Sequence, residues 1–94
     1  MMALTPKIRQ QYKALAHKLR PVVMIGNKGL TETIHQEIDR ALFDHELIKI
    51  RIQMADRHER RAAFSQICEQ HCAQPVQLIG NIGTLYRKSD KAAK

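Results

Sequence analysis

Gly26, Asn27, Lys28 and Gly29 form the short stretch of the sequence best suited to chemistry. They follow Val22-Val23-Met24-Ile25, an apolar, β-branched run that reads as a buried strand, and they precede Thr31, a residue fit to cap a helix. A glycine loop in that place has a physical use. Glycine lets backbone approach an anion closely, loop amides point outward, and the dipole of the following helix favours negative charge. Lys28 adds a cation to the same loop. The chemistry this arrangement suits is phosphate recognition, with plain turn geometry as the alternative.

The charge around the loop is one-sided. The chain of 94 residues carries a formal net charge of +7. Residues 1–31 hold Lys7, Arg9, Lys13, Lys18, Arg20 and Lys28 and no acid, a local +6. Residues 32–85 come to −2, and residues 86–94, with Arg87, Lys88, Lys91 and Lys94 against Asp90, to +3. Segregated charge points to a polyanionic partner, whereas charge that serves solubility is scattered. Arg9, Lys13, His17 and Arg20 recur at helical spacing, and Lys49 and Arg51 alternate with isoleucines, so both sets fall on single faces. The aromatics are Tyr12, Phe43, Phe64 and Tyr86, the first three at helix core spacing, which leaves no stacking platform. Binding is therefore expected to follow backbone and shape more than base identity. Tyr86, beside Arg87 and Lys88, is the one candidate for a base contact, against a core or sheet-edge role.

Catalytic and metal chemistry find little support. Asp44-His45-Glu46 has an acid-base composition, but consecutive residues at a helix-to-strand junction point in different directions, and no nucleophile accompanies them. His45 reads as a helix C-terminal residue favoured by the dipole. Cys68 and Cys72 are four apart on a helical stretch, too far for a good disulfide, and C-x-x-x-C lacks the paired spacing of a zinc site. Free thiols, buried or half-buried, and no metal or cofactor are expected.

These residues need elements to position them. Thr5-Pro6 opens a helix over about 6–19, whose Ile8, Tyr12, Leu15 and Leu19 form a stripe expected against the core, and Pro21 ends it. After the strand and glycine loop, Ile34, Ile38, Ala41 and Leu42 keep helical spacing to about Asp44. Ile48, Ile50 and Ile52 alternate with Lys49, Arg51 and Gln53, predicting a strand over 47–54 with a wet, basic face. Asp56 and Glu59 form a capping box for a helix over about 57–72. Strands follow from Pro75 to Ile79 and from Thr84 to Arg87. The turn Gly80-Asn81-Ile82-Gly83 echoes the first glycine loop but leads into a strand, which suits a hairpin. One domain over 1–88 and a disordered basic tail over 89–94 are expected. No run is apolar enough for a membrane span or a signal peptide, so the expectation is a cytoplasmic protein.

Taken together, three segments resemble a known family. Leu19-Arg20-Pro21-Val22-Val23-Met24-Ile25-Gly26-Asn27-Lys28-Gly29-Leu30-Thr31, then Ala41-Leu42 ahead of His45-Glu46-Leu47-Ile48-Lys49-Ile50, then Val76-Gln77-Leu78-Ile79-Gly80 with Leu85-Tyr86-Arg87, are similar to the CRM domain (chloroplast RNA splicing and ribosome maturation). The stand-alone bacterial form of that domain is the YhbY-type RNA-binding protein. The resemblance implies an α/β domain of order α-β-α-β-α-β-β, a four-stranded mixed sheet with three helices, similar to the C-terminal domain of translation initiation factor 3. It also implies association with precursors of the large ribosomal subunit, and contact with ribosomal RNA through Gly26, Asn27, Lys28 and Gly29. The glycine at Gly83 departs from the pattern and leaves the extent of the last strand open.

The resulting expectation is a monomeric, non-enzymatic RNA-binding protein in ribosome assembly, with no small-molecule substrate and no membrane contact. Its site would combine the loop with Arg9, Lys13, Lys18, Arg20, Lys49, Arg51, Arg87 and Lys88. The competing readings are a module that docks an acidic protein on the basic first helix, and a small enzyme using His45 or His58 in a closed pocket.

Overall fold

A computed structural model describes residues 4–89, with elements in the order α1 (Pro6–Ala16), β1 (Pro21–Ile25), α2 (Glu32–His45), β2 (Leu47–Ile52), α3 (Arg57–Gln70), β3 (Gln74–Ile79) and β4 (Ile82–Tyr86). Each helix opens on a side-chain cap that satisfies an otherwise orphaned amide. Thr5 Oγ1 accepts from Ile8 N at 3.2 Å, Thr31 Oγ1 from Ile34 N at 3.2 Å, and Asp56 Oδ1 from His58 N at 2.8 Å.

The four strands form one mixed sheet in the order β1-β2-β4-β3. β1 and β2 are parallel, and β4 runs antiparallel to both of its neighbours. β1, β2 and β3 therefore all start at one edge of the sheet and finish at the other. Ile48, Ile50 and Ile52 point to one face, where they join Val23, Ile25, Leu85, Ile38, Leu42, Phe64 and Ile67 in a single buried cluster. α2 packs on β1 and β2, and α3 on β3 and β2, so both helices cover this face. α1 lies on the opposite face, against β2 and β3.

Gly83 settles the extent of the last strand. It stands opposite Ile50, and a Cβ there would lie 2.7 Å from the Phe64 ring, so the missing side chain is the space that ring occupies. β4 accordingly begins at Ile82, two residues before the expected start. The hairpin turn is the pair Gly80-Asn81, with positive φ at Gly80 only, the arrangement of a type II′ turn.

Other expectations need correction. The α1 stripe of Ile8, Leu15 and Leu19 does not meet the core: Leu15 is 62% exposed, and Ala16 is the buried residue of the helix. α1 ends at Ala16, three residues early. Phe43 is 41% exposed rather than in the core. Ser89 is not the start of a loose tail: its amide donates to Glu46 Oε2 at 2.8 Å and its hydroxyl to the Phe43 carbonyl at 2.7 Å. The rest of the expected tail, 90–94, lies outside the described residues.

Candidate nucleic-acid interface

The glycine loop leaves the finishing end of β1 and enters the N-terminus of α2. Gly29 N donates to the Gly26 carbonyl at 3.0 Å, closing a tight turn, and Thr31 N donates to the Gly29 carbonyl at 3.1 Å. Gly29 has φ +74°, a left-handed conformation that an L side chain resists. Gly26 needs no such conformation, and a Cβ at either glycine would meet no atom within 4 Å. The loop surface is therefore open to an approaching ligand, with Asn27 and Lys28 exposed on it.

Neighbouring loops hold this edge rigid. Gln53 N donates to the Ile25 carbonyl at 2.8 Å and Ile52 N to the Asn81 carbonyl at 2.7 Å. Arg60 ties the same region by donating to the carbonyls of Gly80 at 3.1 Å, Met54 at 2.6 Å and Ala55 at 3.0 Å. Arg57, exposed in the first turn of α3 just after the finishing end of β2, adds a cation to this edge of the sheet. Sequence reasoning missed it; its position just past the Asp56 cap, after a strand, was the available signal.

The predicted site residues do not converge on one spot. α1 crosses the sheet at the starting edge, where Arg9 Nε donates to the Pro75 carbonyl at 3.4 Å and Tyr12 stacks on Tyr86 with ring centroids 4.5 Å apart. Arg9, Lys13, Lys18 and Arg20 thus belong to the edge opposite the glycine loop, about 16 Å away by the length of a five-residue strand. Between Leu15 of α1, Leu19 just past its end, Val22 and Leu47 runs an apolar groove of about 510 Å³, with Arg20 and His45 in its wall. Lys49 and Arg51 project from the sheet face opposite the core, as the alternation predicts, but both are half-buried rather than fully wet. Lys88 is exposed.

Two expected contact residues have internal duties. Arg87 donates to Asp39 Oδ1 at 2.9 Å, to the Asp39 carbonyl at 3.1 Å and to the His71 carbonyl at 3.3 Å. Tyr86 is locked against Tyr12, and hydrogen bonding to Tyr12, reinforced by burial, pushes its hydroxyl up to about 12. Near Arg87, His35 Nδ1 lies 2.9 Å from His71 Nε2 with the rings stacked. Burial lowers the His71 pKa, the His35 and Arg87 charges add to that effect, and Asp39 opposes it.

Asp44, His45 and Glu46 do not act together. Asp44 pairs with Arg40 at 3.1 Å, exposed His45 ends α2, and Glu46, with φ 65°, caps the helix and holds Ser89. Both cysteines are free. Burial pushes the Cys68 thiol up to about 12, whereas Cys72, at φ 53° just past the end of α3, is exposed rather than buried or half-buried as expected. Among the described residues no group of three His, Cys, Asp or Glu side chains could hold a metal ion, and no helix is long and apolar enough to cross a membrane.

Residues 4–87 match the model of the CRS1 / YhbY (CRM) domain. The chain belongs to that family. A Haemophilus influenzae relative named "RNA-binding protein" is 46% identical over 92 residues, covering 98% of this chain and 93% of that one. A Pseudomonas aeruginosa relative, "Probable RNA-binding protein PA4753", is 43% identical over 93 residues, covering 99% and 89%. The solution structure of hypothetical protein SAV1595 from Staphylococcus aureus superposes with a TM-score of 0.82 at 30% identity, over 92% of this chain and 90% of that one. This CRM domain thus resembles the two relatives in sequence and the solved Staphylococcus aureus structure in fold.

Proposed function

We propose that this CRM-family protein binds RNA, and that it does so as a non-enzymatic, monomeric factor on precursors of the large ribosomal subunit in the cytoplasm. The observation that carries the reading is the glycine loop: an open, tightly closed turn bearing Lys28, set at the N-terminus of a capped helix and preceded by residues that include no acid. Such a turn offers outward amides and the positive end of a helix dipole to a phosphate. Lys28 and Arg57 at the same edge, and Lys49 and Arg51 on the open sheet face, extend a positive surface from it. The names of the two bacterial relatives support the choice of nucleic acid over an acidic protein.

The test is crosslinking in cells followed by sequencing of the attached RNA, alongside sedimentation of ribosomal particles. Enrichment of large-subunit ribosomal RNA, with the protein on incomplete particles, is the expected result. Crosslinks spread over messenger RNA, or recovery of a protein complex without RNA, would contradict it.

A further inference from the structure

The sheet face that α1 leaves open carries an apolar row next to the glycine loop. The strand register places Met24 beside Arg51, Arg51 beside Ile82, and Ile82 beside Ile79. Their neighbours Val23, Ile25, Ile50, Ile52 and Leu78 face the main core, so by strand alternation all four of these side chains stand on the opposite face. The row crosses all four strands near the finishing edge, spanning about 14 Å at the usual strand spacing. Met24 is 52% and Ile79 66% exposed, an unusual amount of apolar surface at two strand positions. In the middle of the row, Arg51 Nε is buried and has no hydrogen-bond partner among the described residues.

We infer that this Met24-Arg51-Ile82-Ile79 row is a base-binding subsite for unpaired RNA, taking nucleobases flat against its aliphatic surface and the Arg51 guanidinium. The inference rests on the RNA-binding reading and deepens it. Aliphatic surface alone would fit many partners, but its charge does not. A second copy of this chain would bring another +7 to the contact, and Arg51 in the row, Lys49 on the same face of β2 and Lys28 on the loop after β1 call for an anion. A single nucleic-acid strand supplies both complements, an apolar base face and a phosphate. Met24 lies two residues before Gly26, so a strand whose phosphate sits on the glycine loop brings its adjoining base over the row. A duplex keeps its bases stacked inside and cannot use such a surface, whereas guanidinium planes and apolar side chains receive splayed bases.

The test is the paired substitution Met24→Thr with Ile79→Thr, which leaves a strand-favouring β-branched residue at both positions while removing aliphatic surface, together with Arg51→Lys, which keeps the charge but loses the plane. Affinities are measured by fluorescence anisotropy for a labelled single-stranded oligoribonucleotide and for heparin, a polyanion without bases. The expected result is single-strand binding weakened about tenfold by the paired change, equivalent to about 1.4 kcal/mol, and severalfold by Arg51→Lys, with heparin affinity and Tm unchanged. Wild-type RNA affinity in both variants would overturn the subsite, as would equal losses for RNA and heparin. Unchanged RNA affinity with lost binding of a glutamate-rich amphipathic peptide would assign the row to a protein instead. If the unmodified protein binds no RNA, the functional reading itself fails; if it binds and the variants bind equally, the subsite alone fails.

Discussion

At the scale of single residues, strain and protonation state give two checks that are independent of any ligand. Cys72 holds φ 53° just past the end of α3, where the amide of Ala73 donates to the Cys68 carbonyl at 2.8 Å. Glycine is the residue that position favours. Cys72→Gly is expected to stabilise the fold by about 0.5–1 kcal/mol, because relief of left-handed strain exceeds the added unfolded-state entropy. Calorimetry should show Tm rising by a few degrees. The second check is His71. Its folded pKa lies below the ordinary 6.5 of the unfolded chain, so the unfolded state takes up protons first as pH falls. The neutral ring's contribution is complete above that ordinary value and is lost as pH falls through the folded pKa. Urea midpoints should therefore drop on acidification below about pH 6.5, and the drop should shrink in His71→Asn.

At the scale of elements, Gly83 shows how a strand can hide in a turn-like sequence. Gly83→Ala forces a Cβ against Phe64 and is expected to destabilise by about 1–3 kcal/mol, although glycine-to-alanine normally favours a strand. Phe64→Leu should recover part of that loss in a double-mutant cycle of denaturation midpoints; additive effects would show that the two residues do not compete for the same space. The order of elements was legible in the sequence because caps, alternation and periodicity are local signals. Thr5, Thr31 and Asp56 mark the helix starts, and Ile48, Ile50 and Ile52 mark the buried face of β2. The start of β4 was not legible, because a glycine needed for a distant ring looks the same as a glycine needed for a turn. Nor was the orientation of α1. Its apolar stripe is real, but the helix is turned about a quarter turn away from it, since Arg9 and Tyr12 find partners on the sheet and small Ala16 permits close approach. Periodicity identifies a stripe, and only tertiary partners decide whether it is covered.

At the scale of the whole molecule, the basic residues divide between the two edges of the sheet. Their types could be read from the sequence, but their separation could not, because it depends on α1 crossing at the starting edge. The positive α1 surface and the glycine loop can therefore contact different stretches of one polyanion, and the binding should depend strongly on salt. Neutralising about three to five phosphates gives a slope of log K against log salt of roughly −2 to −3.5 for a single strand. Removing one cation from the loop, in Lys28→Ala, should reduce that slope by about 0.7. A flat response would mean that the charge of residues 1–31 is not spent on phosphates.

The most direct measurement of the central claim, that the glycine loop is the phosphate clamp, is the RNA affinity of Gly26→Ala. Gly29→Ala would confound strain with binding, because Gly29 has φ +74°, whereas Gly26 has no positive φ and open space around the added methyl. A folded variant with unchanged charge and a Tm no lower than the parent is expected, with single-strand RNA affinity reduced severalfold because the methyl holds phosphate away from the loop amides. Parent-like affinity in that folded variant would reduce Gly26-Asn27-Lys28-Gly29 to a turn with no part in holding phosphate.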